Sequence, residues 1–267
     1  MSLLRISELH IYPVKSARGI SLHSAQLDDR GIEFDRRWMV VDENGRFLTQ
    51  RTMPRMALIN VDLRSDHLSL RARGVQELAI PLRSTSTKTL RVQIWSDSLE
   101  ALDSGDDAAA WFTDLLGVVS RLVRMPEQGV RDVNPTYAPP HTPVSFADAF
   151  PVLLISQMSL DDLNSRLSEP VPMNRFRPNL VIEGGVAYQE DSWHNVSIGS
   201  VRFRVAKPCE RCMIPTVNQD TGEGGKEPIH TLSTYRARDS KIYFGQNLIH
   251  ENRGILNVGD AAYPSAD

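Results

Sequence analysis

Cysteine is scarce in this chain: its 267 residues contain two, Cys209 and Cys212. Two thiols three positions apart cannot build the disulfide framework of a small secreted domain, so a reducing cytoplasm is the expected compartment. An excess of one charge is also missing. Thirty Lys and Arg against 33 Asp and Glu leave a formal net charge of −3, which excludes a general nucleic-acid binder, since that needs a basic surplus to displace counterions. Any anion site must therefore be a local gathering of Lys and Arg. No apolar run approaches the ~20 residues that span a bilayer, so no membrane partner is expected. The amino terminus, MSLLRISELHIYPVKS, has neither the apolar core nor the cleavage pattern of a signal peptide and reads as a strand.

What is present is an ordinary globular composition, 41% hydrophobic and 24% charged, ample for a buried core. The first half reads as β-rich. Strands are expected over Leu4–Tyr12, Ala57–Leu63, Leu68–Arg73, Glu77–Pro81 and Leu90–Trp95. Arg37–Val41 and Arg46–Thr49 flank Asn44-Gly45, a pair that supplies positive φ for a hairpin turn. Many short strands separated by turn residues suggest a barrel or sandwich. Asp106 can cap a helix through Ala108–Leu116, with Gly117 just past its end; Trp111 falls on its apolar side and is expected in the core. Pro126–Pro143, with five prolines, favours irregular backbone and marks a boundary. We therefore expect an α+β, β-rich protein with two parts, 1–125 and 126–267. In the second, Ser159 can cap a helix to Leu167, Leu180–Glu183 and Val201–Ala206 read as strands, and Leu232–Arg238 as a short helix.

The run Lys207-Pro208-Cys209-Glu210-Arg211-Cys212 carries the chemistry. Proline lacks an N–H, so the strand should end there and place both thiols on a loop, with Met213–Val217 extended beyond it. Four readings stand side by side. A zinc site would need two further ligands that no histidine spacing supplies. A thioredoxin-like dithiol would need a helix start, which Pro215 and the β-branched Ile214, Thr216 and Val217 oppose. The pair could be small buried hydrophobes. Or one thiolate could ligate a soft metal held by a bound cofactor, with Arg211 on an anionic part of that cofactor. The last reading needs more anion binders, and the sequence offers them in Tyr12-Pro13-Val14-Lys15-Ser16, Asp35-Arg36-Arg37-Trp38 and Phe176-Arg177-Pro178-Asn179. Arginine grips phosphate in a planar two-pronged way.

The segments YPVKSARG at Tyr12–Gly19, DRRWMVVDENGRFLTQR at Asp35–Arg51, IWSDSLEALDSGDDAAAWF at Ile94–Phe112, FPVLLISQMSLDDLNSRL at Phe150–Leu167, NRFRPNLVIEG at Asn174–Gly184, KPCERCMIPTVNQDTGE at Lys207–Glu223 and FGQNLIHENRGILNVGD at Phe244–Asp260 make the chain resemble the MOSC family (molybdenum cofactor sulfurase C-terminal domain) nearly end to end. The similarity is to the branch with an amino-terminal MOSC β-barrel domain, which includes the mitochondrial amidoxime-reducing components and their bacterial counterparts.

The resemblance implies an N-terminal β-barrel-like domain, a C-terminal MOSC β-barrel with peripheral helices, and a pyranopterin molybdenum cofactor (molybdenum–molybdopterin) between them. It implies that Cys212 is the metal ligand and catalytic centre, and that Lys15, Ser16, Arg36, Arg177, Asn179, Arg211 and Asn247 line the cofactor. The implied activity is reduction of small N-hydroxylated substrates: amidoximes, hydroxamic acids, hydroxylamines and N-hydroxylated bases. Electrons would come from a separate flavin or iron–sulfur reductase, because no cysteines are left for a cluster, which needs four thiolates. The alternative within the family is a cofactor carrier or sulfur-transfer module working through a cysteine persulfide. Glu210, Ala149, Phe150 and Asn247 depart from the residues familiar in the amidoxime-reducing proteins. Asp35 and Asp148 are candidate proton donors, with a salt bridge from Asp35 to Arg36 or Arg37 as the plainer expectation.

Overall fold

The computed structural model describes residues 3–83, 87–128 and 131–265. Among them, strands dominate and three α-helices stand apart. The main sheet has nine strands. Its order runs Ala262–Ser265, Asn195–Ile198, Val201–Glu210, Lys241–His250, Val152–Ser156, Leu180–Glu183, Arg5–Ile11, Ile20–Leu22, with Ala237–Arg238 beside Lys241–His250. One pair, Val152–Ser156 with Leu180–Glu183, is parallel, and helix Gln157–Arg166 lies in the crossover between them. The far edge returns to the first strand. Ala262 N–H donates to the Leu4 carbonyl at 2.9 Å and Ile6 N–H to the Asp260 carbonyl at 3.0 Å, so most of the sheet closes as a barrel. Ile6, Leu9, Ile11, Leu154, Leu180, Ile182, Val196, Phe203 and Leu248 fill it, as alternation along each strand requires.

A four-stranded sheet (Trp38–Asp42, Ser120–Arg124, Asp97–Asp103, Thr89–Ile94) and a three-stranded one (Asn60–Leu63, His67–Arg71, Leu78–Pro81) form the other body of strands. Helix Asp106–Leu116 buries Trp111, Phe112 and Leu115 in the core that includes Val14, Trp38 and Leu70, so Trp111 is a packing residue. A small sheet joins residues from the two ends of the chain: Gly254–Asn257 pairs with Ser24–Asp28.

Several local expectations are corrected. Gly105, not Asp106, precedes the first helix; Asp106 is its first residue, and Gly117 ends it in the left-handed region as expected. The second helix starts at Gln157, two residues before Ser159, whose buried hydroxyl donates to Glu190 at 2.7 Å instead of capping. The third helix covers Ile229–Ser233. Asn44-Gly45 does make the turn after Trp38–Asp42, with the Asp42 carboxylate accepting from Asn44 and Arg46 N–H, but the return side, Arg46–Thr49, makes only isolated bridges, Phe47 to Val41 and Arg46 to Gln93, and forms no continuous strand. Met213–Val217 contains a 3₁₀ turn, Ile214–Thr216, where an extended run is expected.

The strand carrying Cys209 does not stop at Pro208; it runs from Val201 to Glu210. The reason lies in its neighbours. Asn195–Ile198 covers this strand only over Val201–Arg204, and Val205 N–H makes the last bond on that side, to the His194 carbonyl at 2.8 Å, so from Ala206 onward the strand is paired with Lys241–His250 alone. Proline is tolerated on such an open edge and at bulges, and the register slips both before and after it, between Val205 and Lys207 and between Pro208 and Glu210.

Candidate active site

Segments far apart in sequence converge on one cleft, which encloses about 720 Å³ counting the space at its mouth. Lys15, Ser16, Arg36, Arg177, Asn179, Arg211, Cys212 and Asn247 all line it, with Asp148, Phe150, Phe176, Cys209 and Glu210 among their neighbours. The eight residues that the family resemblance assigns to the cofactor and metal are thus brought to one place, while Asp35 is not among its lining.

The backbone there is strained. Ser16 (φ 69°), Arg36 (φ 49°) and Arg177 (φ 57°) occupy the left-handed region, unfavourable for side chains with a Cβ and concentrated at functional sites. Each follows or precedes a fixed element. Lys15 N–H and Trp38 carbonyl pair at 2.8 Å just before Ser16, and Arg36 N–H donates to the Tyr12 carbonyl at 2.9 Å.

Tyr12 organises two of the cations. Its ring carries Arg177 at 4.2 Å and Arg36 at 4.5 Å, and its hydroxyl donates to the Pro178 carbonyl at 3.0 Å. Burial pushes this phenol up to about 12, so it is a neutral support. Gly19 makes room for the ring: a Cβ there would sit 2.5 Å from a ring carbon.

Arg36 is fully engaged, donating to Asp35 at 2.6 Å, to the Asn179 side-chain oxygen at 3.1 Å and to the Arg177 carbonyl at 3.2 Å. Asp35 is buried and also accepts from Tyr12 N–H; it holds Arg36 and makes the salt bridge expected as the plainer outcome. The Asn179 amide is occupied too, by the His10 carbonyl, Leu153 N–H and Arg36, so it positions Arg36 and ties the first strand to the sheet.

Lys15 donates to the Phe146 carbonyl at 2.8 Å and to Asp148. Burial pulls its ammonium down to about 8 despite that partner. Desolvation would raise Asp148, whose side chain is half exposed, but the charge and hydrogen bond of Lys15, then the charge of Arg51, hold its carboxyl far below the usual range. Asp148 is therefore an ion-paired carboxylate and not the proton donor its sequence position suggested.

Arg177 differs. It is 8% exposed, and its guanidinium has no hydrogen bond or carboxylate partner among the described residues beyond the Tyr12 face. Desolvation pulls it down to about 10. Arg211 donates to the Cys209 sulfur at 3.1 Å and to the Phe176 carbonyl at 2.9 Å, while its buried Nε has no partner among the described residues. The Ser16 hydroxyl is likewise without a bond among them. Glu210, an awkward charge beside such a site, is drawn to Lys241 at 2.8 Å.

Both thiols are free. The Cys212 sulfur accepts from Arg51 Nη2 at 3.2 Å and from Ile214 N–H at 3.5 Å; no α-helix starts at either cysteine, so the dithiol reading loses its structural basis. Among the described residues, no three His, Cys, Asp or Glu gather as a metal cage. Arg51 was not singled out from sequence. It closes a matching segment, but nothing in LTQR says that a turn will carry its guanidinium to a sulfur 161 residues away.

The MOSC N-terminal beta barrel domain matches residues 3–119 and the MOSC domain residues 141–263. The chain is 37% identical to mitochondrial amidoxime-reducing component 1 of Mus musculus, over 97% of this chain and 81% of that protein. It is 36% identical to mitochondrial amidoxime reducing component 2 of Bos taurus, over 97% and 82%, and 35% identical to mitochondrial amidoxime-reducing component 1 of Homo sapiens, over 97% and 82%. These relatives are named as mitochondrial, so the cytoplasmic expectation finds no support among them; among the described residues, no helix is long and apolar enough to cross a membrane. With both domains matched in order and relatives above 30% identity across almost its whole length, the chain belongs to the MOSC-domain family of amidoxime-reducing components.

Proposed function

We propose that this protein binds a pyranopterin molybdenum cofactor through Cys212 and reduces N-hydroxylated substrates with electrons from a separate reductase. The observation that carries the reading is Arg177: a buried cation with no anionic partner among the described residues, in the cleft that also holds Cys212. An unpaired buried charge is costly, and an anionic ligand would offset that cost. The donor set fits such a group. Arg177, the Arg211 Nε and the Ser16 hydroxyl are the unspent donors; Lys15 and Arg36 add charge that Asp148 and Asp35 partly offset. Cys212 offers one soft ligand, as a thiolate-bound metal brought by an organic carrier requires.

When bound, the cofactor supplies the two-electron chemistry that an N–OH reduction consumes, together with two protons, as water is released. The protein's own part is binding and orientation. Tyr12 and Asp35 keep Arg36 and Arg177 in place, Lys15 and Asp148 close one side, and Glu210 is held toward Lys241 and away from the anion. Asp148 remains ionised, so protons reach the substrate from solvent or from another group.

The test begins with molybdenum content in protein purified from a host that makes the cofactor. Reduction of benzamidoxime or N-hydroxyurea with an artificial electron donor follows. Cys212→Ala is expected to keep its fold by circular dichroism and lose activity to background. Cys209→Ala, which removes only an acceptor for Arg211, is expected to lose less than about tenfold, the low end for groups behind a metal ligand. Full activity in Cys212→Ala removes the reading. Bound molybdenum without reductase activity would favour the cofactor carrier or sulfur-transfer alternative.

A further inference from the structure

Arg51 makes contacts that the binding of an anion does not require. Its Nη2 lies 3.2 Å from the Cys212 sulfur and 3.4 Å from Asp148. The carboxylate distance is long for a charge-assisted bond, and Asp148 already has Lys15. The sulfur distance is short, because sulfur's larger radius places its ordinary acceptor contacts farther out than those of oxygen. The sulfur is thus Arg51's closer polar partner. The guanidinium is also fixed from behind: it stacks on Trp95 at 4.8 Å, and Phe47 packs on that indole with ring centroids 5.1 Å apart. Trp95 itself sits in the left-handed region, φ 55°, at the turn between Thr89–Ile94 and Asp97–Asp103. The two-residue loop of that hairpin calls for positive φ, and it places the indole where its stack holds Arg51 toward the sulfur.

We propose that Arg51 is a positioning residue for the Cys212 sulfur, using a directed N–H···S hydrogen bond and a fixed positive charge to set the reduction potential of a metal bound to that sulfur. This rests on the cofactor reading above. Hydrogen bonds to a ligating sulfur withdraw electron density from it and are an established lever on metal–thiolate potentials. The charge adds to the effect, since a nearby cation favours the more reduced, more negative centre. Ile214 N–H, at 3.5 Å, holds the same sulfur from the chain's own turn, so Arg51 adds a closer hydrogen bond and a fixed charge to a thiol that the backbone also orients.

The experiment uses the full chain loaded with cofactor and compares wild type, Arg51→Lys and Arg51→Met. Molybdenum content is measured first, then the midpoint potential of the metal by equilibrium redox poising followed by electron paramagnetic resonance. The midpoints are expected to fall in the order wild type, Lys, Met. Arg51→Met should shift the one-electron equilibrium about tenfold toward the oxidised metal, which is about 59 mV. A merely structural role would lower molybdenum content or activity without that ordered shift. Should Arg51→Met fail to fold or to hold molybdenum, Arg51→Lys against wild type decides: a lower midpoint supports the inference and an equal one overturns it. Midpoints of both variants at the wild-type value, with molybdenum retained, also overturn it and leave the cofactor reading standing. Wild-type protein that takes up no molybdenum overturns both.

Discussion

An arginine buried without a counter-ion lowers stability until a ligand arrives, and Arg177 is in that position. Arg177→Met replaces an unpaired cation by an apolar chain of similar length, a change that is commonly neutral or stabilising by about 1 kcal/mol or more. It forfeits the stack on Tyr12, worth about 0.5–2 kcal/mol. For the ligand-free protein we expect a melting temperature within roughly 2–4 °C of wild type, in either direction, by scanning calorimetry, together with loss of cofactor retention. A drop of ten degrees would mean that Arg177 is a structural residue with a partner of its own. Lys15 gives a second, pH-dependent prediction. Its folded-state value, about 8, lies below the ordinary 10.5, so between those values the unfolded chain holds more protons than the folded one. Stability contributed at this site is lowest below pH 8 and climbs from about 8 to 10.5. Anion affinity runs the other way, because the cation is lost over the same rise. Denaturation of wild type against Lys15→Met should diverge above pH 8 and run parallel from pH 6 to 8, while sulfate, whose charge is constant in this range, should bind wild type more weakly above pH 8. A flat difference across the whole range would mean that Lys15 stays charged.

At the scale of elements, the strand Val201–Glu210 shows what sequence could and could not convey. Val201, Phe203 and Val205 alternate with Arg202 and Arg204 in the sequence, and at the start of the strand Val201 and Phe203 are buried accordingly. Pro208 looked like a stop because the rule against proline applies to strands paired on both sides, and only the topology reveals that this half has one neighbour. The opposite strand adapts as well. Gly245, in Lys241–His250, has φ +83°, and a Cβ on it would lie 2.8 Å from the Leu154 carbonyl and 2.7 Å from the Ile155 side chain. It sits where the register against Val201–Glu210 slips, between the Pro208–Gln246 and Glu210–Tyr243 pairs. Gly245→Ala should therefore cost about 1–3 kcal/mol through combined backbone strain and overpacking, read by urea denaturation, and should disturb Cys209 more than Lys15. An unchanged midpoint would show that the slip does not depend on that glycine.

For the molecule as a whole, the cleft was legible as a list but not as a place. Lys15, Arg36, Arg177 and Cys212 could be chosen from motifs, since cations and a thiol in those contexts suit one chemistry. Arg51 and the Lys15–Asp148 pair could not, because they depend on how distant turns meet. The meeting is enforced by the first strand. Arg5–Ile11 lies between Leu180–Glu183 and Ile20–Leu22 in the main sheet, and His10 N–H donates to the Asn179 carbonyl at 2.9 Å, which fixes Tyr12–Ser16 against Arg177–Asn179. Near the other end, Gly254–Asn257 pairs with Ser24–Asp28. A fragment of residues 126–267 would thus carry most of the barrel but lack a strand from its wall, leaving Leu180, Ile182 and Leu256 of the main core uncovered and an unpaired edge open to aggregation. We expect that fragment alone to melt without a cooperative transition and to bind a hydrophobic dye, and to regain a single sharp transition when co-expressed with residues 1–125. The recovered complex should hold cofactor where neither piece does, because Lys15, Ser16 and Arg36 lie in one fragment and Arg177, Arg211 and Cys212 in the other. Cooperative unfolding of the isolated fragment, measured by calorimetry, would show that the first strand is an attachment to a self-sufficient barrel and that the site is assembled by docking after folding.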